Sequence, residues 1–287
     1  NFSKECKIPI ILRGLGEIVN PQLATGNSQL KLNTKNMSQH WNATLYDNNH
    51  DFVAKFGEGI FSWLQPQLGE YILDLGCGTG DLTPKIQAAG ATVLGVDSSA
   101  EMVVAAKAKF PTIEFQQADA RSLPFSNQFD AIFSNAVLHW VPEKEKAIAN
   151  MYQSLKKGGR IVLEFGGKDN IQQMWTALKV VLQKRGYTEK ADISFWYFPS
   201  IGEYATLLEQ QGFRVVRAEH FDRPTPLKGE SGMKDWFLMF TDNFFSGIAA
   251  SEKADILEEV QTSLKPTHFV DGQWVADYKR IRMMAVK

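Results

Sequence analysis

Ile72-Leu73-Asp74-Leu75-Gly76-Cys77-Gly78-Thr79-Gly80 is an apolar strand pattern that runs into a glycine-rich turn and then into a helical pattern. Three glycines let the backbone approach a ligand closely, and the helix N-terminus that follows presents free N–H groups to a polar or anionic part of it. Seventeen residues beyond Gly80, a second apolar run ends in Gly95-Val96-Asp97. A carboxylate at that point accepts hydrogen bonds from both hydroxyls of a ribose, so the pair predicts a nucleoside-cofactor site at the carboxyl edge of a parallel sheet. The spacing G-x-G-x-G is tighter than the dinucleotide fingerprint G-x-G-x-x-G, and an acid precedes it inside the strand.

Working outward, apolar runs alternate with helical periods. The strand-like runs are 71–75, 92–96, 113–117, 129–134 and 160–165, and helical patterns lie at about 82–89, 101–110 and 143–155. Ser98-Ser99-Ala100-Glu101 offers a capping box for the second helix, Pro142 suits the first turn of the third, and Gly90 and Gly158 suit helix ends. Five such repeats predict a doubly wound parallel sheet. Beyond Gly167 the alternation loosens into a helix near 171–184, a helix at 201–211 and a strand at 213–220. A helical insertion is expected over 223–272, with Met233, Phe237, Phe240 and Phe244 on one face, and a last strand over 273–286. Upstream, Phe52, Phe56, Ile60 and Trp63/Leu64 repeat at helical spacing.

Composition narrows the function classes. The chain has 287 residues, 44% hydrophobic, with a net charge of −1, which suits one globular domain and gives no bulk charge for binding nucleic acid or an anionic membrane. Cys6 and Cys77 form no disulfide or metal spacing, the five histidines show no paired spacing, and no metal site is expected. The two unpaired cysteines lead to the expectation of a reduced, cytoplasmic setting, and no early apolar run is long enough for a membrane span or signal segment. Residues 1–36 hold five Lys/Arg against two Asp/Glu and a single aromatic, and read as a weakly ordered leader before a domain over 37–287.

Together, Asp74 to Gly80, Asp97 and the later strand ends resemble the class I S-adenosylmethionine (SAM) dependent methyltransferases, in particular the small-molecule type related to trans-aconitate methyltransferase. The resemblance covers about residue 41 to the C-terminus. It implies a Rossmann-like, mostly parallel seven-stranded sheet with the last strand antiparallel and a helical lid insertion, with SAM converted to S-adenosylhomocysteine. In that pattern Gly76, Gly78 and Gly80 pass along the amino-acid part of the cofactor, and Asp74 fixes the turn or reaches its ammonium through water. Asp97 holds the ribose, Ser98 and Met102 lie beside the adenine, Asp119 and Ala120 meet the adenine amino group, and Asn135 lies under the methionine part. Segment 41–47 resembles the cofactor lid, with Tyr46 closing over the methionine end and His50 facing the acceptor. For Asp119 the plain alternative is a turn residue.

The acceptor side is read from Asn135-Ala136-Val137-Leu138-His139-Trp140. Methyltransferases of exocyclic base nitrogens carry an Asn/Asp-Pro-Pro-aromatic tetrad here, which this chain lacks, so nucleic acid is not the expected acceptor. His139 is the best-placed general-base candidate, and the alternative is a histidine that packs or orients substrate. Residues 195–245 hold twelve Phe, Trp and Tyr in 51 positions, about double the chain's 11%, as expected of a core packed under the insertion, of an aromatic-lined acceptor pocket, or of both. Arg121, Arg223 and Arg280 are further positions that could meet a substrate carboxylate. The expected activity is methyl transfer to a small molecule, at a carboxylate or hydroxyl oxygen. The alternatives are N- or C-methylation of a natural-product intermediate, a nicotinamide oxidoreductase, and a non-catalytic cofactor-binding module.

Overall fold

The computed structural model describes residues 59–287, all within the unit Gln39–Lys287. The expectations for residues 1–36, for segment 41–47 with Tyr46, and for His50 lie outside the described residues.

Five parallel strands form the centre of the sheet: β1 (Tyr71–Leu75), β2 (Thr92–Asp97), β3 (Glu114–Gln117), β4 (Phe129–Asn135) and β5 (Leu155–Gly166). Beyond them stand β6 (Arg214–Leu227) and β8 (Gln273–Val286), giving the order β3-β2-β1-β4-β5-β8-β6, with the two-residue β7 (Phe269–Val270) paired to β8. The last strand β8 is antiparallel to both β5 and β6, as the resemblance implies. The order reverses between β1 and β4, which opens the crevice at the carboxyl edge where ligands of such sheets bind.

Both faces of the sheet are covered. Helical residues 59–64, α1 (Thr83–Ala88) and α2 (Ala100–Lys109) bury Ile60, Trp63, Leu64, Ile86, Val103 and Ala106 against Ile72, Val93, Phe133 and Val162. On the other face α3 (Lys144–Ser154) packs with a helix at Ile201–Gln211, placing Ile148, Met151, Tyr204 and Leu208 on Leu73, Ile132, Leu163 and Phe165. Each such fully buried large side chain contributes about 1.5–3 kcal/mol, so the central strands need no alternation of polar residues.

The remaining helices are α4 (Gln172–Lys184), α5 (Thr188–Ala191), α6 (Ile201–Gln211), α7 (Gly232–Phe240) and α8 (Ala250–His268). Of these, α4, α7 and α8 build a third core with the far ends of β6 and β8, around Met174, Leu178, Trp236, Phe237, Val260 and Trp274. Helix α4 starts on Asp277, whose carboxylate accepts the Gln173 N–H at 2.8 Å.

Several local expectations are corrected. Helix α2 is capped by Ser99, whose Oγ accepts the Met102 N–H at 3.3 Å, so Glu101 is one position too early for a capping box. A complete box stands instead at Ser200 and Glu203 before α6. Pro142 precedes the Glu143 cap rather than entering the helix. Gly90 does follow a helix end with φ +91°, but Gly158, at φ +79°, lies in β5 where the pairing with β4 jumps from Leu155 to Arg160. Strand β6 continues to Leu227 through Pro224 and Pro226, well past the expected end at residue 220. The reason is its place at the sheet edge, where a missing N–H costs no ladder bond.

Candidate functional site

The glycine turn is anchored on β2. The N–H groups of Gly76 and Cys77 donate to the Val96 carbonyl at 2.7 and 2.9 Å, and Gly78 N–H donates to Asp97 Oδ2 at 3.0 Å. Asp97 Oδ1 accepts the Ser99 N–H at 2.9 Å, so one carboxylate ties the turn to the start of α2. Each oxygen has two lone pairs, so each keeps a second acceptor position. Burial pushes the Asp97 pKa upward, against the backbone N–H bonds that favour its charge.

The three glycines are required for different reasons. Gly76, Gly78 and Gly80 all have positive φ, at 76°, 56° and 87°. A Cβ on Gly76 would stand 2.2 Å from Val137 Cγ2, and one on Gly80 would stand 2.9 Å from Phe115 Cζ. At Gly78 nothing lies within 4 Å of that position, so the middle of the turn faces open space. A cradle of backbone with open space at Gly78, beside a doubly accepting carboxylate, fits the amino-acid and ribose parts of a nucleoside cofactor.

Asp74 is buried beneath this turn and accepts the Thr83 Oγ1 hydrogen at 2.6 Å, which fixes the start of α1. Burial, opposed by the Thr83 bond and aided by the Asp97 charge, pushes its pKa up to about 7. Burial, and then the charges of the same two carboxylates, push the Cys77 thiol pKa up.

The other predicted residues line the same edge. Ala118 N–H donates to the Asp97 carbonyl at 3.0 Å, joining the ends of β2 and β3, and Gln117 Nε2 donates to the Ser98 carbonyl. Met102 is buried in the first turn of α2. Asp119 caps the short helix Ala120–Ser122 and pairs with Arg121, whose guanidinium holds its pKa down. Asp119 Oδ1 also accepts the Arg121 N–H at 2.8 Å, and Arg121 is engaged by Glu143 as well. Asn135 ends β4, and Ala136 follows at φ +62° with its N–H on the Glu164 carbonyl at 2.7 Å.

His139 sits in the short helix Leu138–Trp140 and is buried. Its Nδ1 accepts the Gly166 N–H at 3.3 Å, so the neutral ring carries its proton on Nε2. Burial, and next the Arg280 charge, hold its pKa well below the ordinary value. Trp140 is partly exposed and contacts Trp196 and Phe240 at centroid distances of 5.6 and 6.1 Å.

One buried network escaped the sequence reading. Glu164 in β5 accepts Arg282 Nε and Nη2 at 2.8 and 2.6 Å and pairs with Arg223 Nη1 at 2.5 Å, and Arg282 Nη1 also donates to the Gly59 carbonyl. This engages Arg223. The signal was present as a single acid within Ile161-Val162-Leu163-Glu164-Phe165. Among the described residues no group of three or more His, Cys, Asp and Glu could hold a metal ion, and no helix is long and apolar enough to cross a membrane.

A family model described as a methyltransferase domain matches residues 73–163. An uncharacterized methyltransferase of Schizosaccharomyces pombe is 31% identical over 260 residues, covering 86% of this chain and 98% of that one. The trans-aconitate 2-methyltransferase of Deinococcus radiodurans is 29% identical over 205 residues, covering 68% of this chain and 78% of its own length. In fold, the chain is similar to phosphoethanolamine N-methyltransferase 2 of Haemonchus contortus, solved with phosphomonomethylethanolamine and S-adenosylhomocysteine. The TM-score is 0.53 at 16% identity, covering 85% of this chain and 56% of that one. None of these relatives supports the nicotinamide alternative. The glycine turn tied to Asp97 and the relative matched over 86% of this chain agree: the chain belongs to the S-adenosylmethionine-dependent methyltransferases.

Proposed function

We propose that the protein methylates an oxygen of a small molecule, and that this oxygen belongs to a carboxylate. The observation that carries the choice is the Gly166 N–H on His139 Nδ1. The lone pair that could take a proton is already engaged, and the other ring nitrogen holds one. A hydroxyl must lose a proton as it reacts, whereas a carboxylate has none to lose. The relative named trans-aconitate 2-methyltransferase supports the same choice.

Residues 37–287 form the methyltransferase unit in this reading. Gly76, Gly78 and Gly80 pass along the amino-acid part of the cofactor, Asp97 takes the ribose hydroxyls with its remaining lone pairs, and Ser98 and Met102 flank the adenine. Asp119 and Ala120 meet the adenine edge, Asn135 lies beneath the methionine part, Asp74 holds the turn in shape, and Tyr46 closes the site. Bound SAM supplies an electrophilic methyl group on a sulfonium centre. The chain's own part is alignment and exclusion of water, with His139 donating from Nε2 to orient the acceptor.

The test is release of S-adenosylhomocysteine from SAM with a panel of small acids, phenols and amines between pH 6 and 9. Acids are expected to turn over with a flat profile. Turnover confined to phenols, rising with pH, would reject the carboxylate.

A further inference from the structure

Asn170 stands in the connection from β5 to α4, between two residues in left-handed backbone, Asp169 at φ +62° and Ile171 at φ +53°. For a β-branched isoleucine that conformation is strained, and such strain persists only where the surroundings over-determine it. Here they do. Asn170 N–H donates to the Gly167 carbonyl at 3.0 Å, Ile171 N–H to the Asp277 carbonyl at 3.0 Å, and Lys168 N–H to the Pro199 carbonyl at 2.9 Å. The connection so held turns a polar side chain into the protein, and Asn170 keeps only 5% of its surface exposed.

One end of the Asn170 amide is engaged. Lys279 N–H, in β8, donates to it at 2.9 Å, which fixes that end as the oxygen Oδ1 and leaves the NH2 at the other. Nδ2 lies 3.0 Å from the point where a Cβ on Gly166 would stand, a space that the Phe198 ring also enters, so a side chain at position 166 would displace both. Gly166 is also the residue whose N–H engages His139 Nδ1. The same device therefore acts twice around Gly166: a backbone N–H takes the acceptor end of a side chain and leaves its donor end over. Among the described residues neither Asn170 Nδ2 nor His139 Nε2 has a hydrogen-bond partner, and neither atom is sealed from solvent. Buried polar groups are ordinarily paired, so an NH2 left over on a residue this buried calls for a partner from outside the chain.

We propose that Asn170 is an acceptor-binding residue, donating from Nδ2 to a carboxylate oxygen of the methyl acceptor while His139 donates from Nε2. The inference rests on the O-methyl transfer proposed above and adds a residue that selects the acceptor, together with the reason it selects. Both side chains present hydrogens and no free acceptor, which complements a group that has lone pairs and no hydrogen. A hydroxyl or an ammonium brings a hydrogen of its own and finds nothing on either side chain to receive it.

The test is steady-state release of S-adenosylhomocysteine by the full chain at pH 8 with acetate, succinate, fumarate, benzoate and trans-cinnamate, the fastest of which is then used with two variants. Asn170→Asp keeps an oxygen for the Lys279 N–H and sets a second, charged one where the donors were. Its KM for the acid is expected to rise about tenfold or more, the size of one hydrogen bond to a charged group, while the S-adenosylhomocysteine Kd stays within twofold. Asn170→Ala removes the donors without adding charge; it is expected to raise KM about tenfold with the same unchanged Kd, and it carries the test if the aspartate variant does not fold. A merely structural Asn170 predicts the opposite order, because aspartate keeps the Lys279 bond and alanine loses it. An unchanged KM in either variant, or a loss of S-adenosylhomocysteine affinity in parallel with the rise in KM, would overturn the inference alone. Turnover of none of the five acids by the unmodified chain would overturn the underlying reading and this inference with it.

Discussion

His139 Nδ1 accepts the backbone N–H of Gly166, the last residue of β5, at 3.3 Å. That one bond fixes the tautomer of the ring and joins the turn after β4 to the carboxyl end of the neighbouring strand. It also removes the lone pair a general base would use. In His139→Ala the Gly166 amide loses its partner in a buried place, which costs about 1–3 kcal/mol of stability. Turnover falls through lost orientation, but the shape of its pH profile between 6 and 9 stays that of the unmodified protein. Loss of a rising limb in the variant would contradict this assignment.

Asp97 holds the glycine turn and, in the proposed reading, the ribose. Asp97→Ala removes the charged acceptor from two backbone N–H groups and from the cofactor. Hydrogen bonds to a charged group are worth about 1.5–3 kcal/mol, so S-adenosylhomocysteine affinity is expected to drop by about tenfold or more in calorimetry. An unchanged Kd would place the ribose elsewhere.

The legibility of the chain followed the range of its interactions. Strands β1 to β5, the glycine turn and Asp97 were readable because buried parallel strands are apolar runs and the turn chemistry is local. The Ser99 cap was misassigned by one residue, since Ser98 has Glu101 three positions on and so matches the box pattern, whereas the helix begins one residue later, after Ser99. Pro224 and Pro226 hid the far half of β6, because a sequence does not state which strand is at an edge. The Gly166 bond to His139 spans 27 positions, and the Glu164 bond to Arg282 spans 118; neither has a local signature.

Gly76 is held between positive φ and the Val137 side chain. Gly76→Ala introduces both backbone strain and overlap, at about 1–3 kcal/mol each. Adding Val137→Ala relieves the overlap but not the strain, so chemical denaturation of the double variant is expected to recover part of the loss. A double variant no more stable than Gly76→Ala would show that Val137 is not the obstacle.

Asp74 makes stability depend on pH. Folding raises its pKa from the ordinary 3.8 to about 7, so the protonated form is favoured in the folded protein. Its contribution is full below the unfolded value and is lost as pH rises through about 7, with a slope of at most about 1.4 kcal/mol per pH unit. Asp74→Asn removes that slope, so the two unfolding free energies diverge between pH 4 and 7 in favour of the variant at the upper end. Parallel curves would contradict the protonated, buried carboxyl.

Glu164 pairs with both Arg282 and Arg223 inside the sheet. Glu164→Leu leaves both guanidinium groups without their carboxylate and is expected to cost about 3–5 kcal/mol in urea unfolding, with Glu164→Gln costing less because it keeps an acceptor. A loss below about 1 kcal/mol for the leucine variant would mean that the network contributes little.

The central claim is methyl transfer from SAM to a carboxylate oxygen without a general base, and the product states it most directly. The full chain, incubated with SAM and a mixed panel of small acids, phenols and amines, is analysed by mass spectrometry before and after mild alkaline treatment. The expected result is an acid carrying one added methyl that alkali removes, matched by S-adenosylhomocysteine. A methylated phenol, amine or carbon that survives alkali, with the acids untouched, would contradict the account.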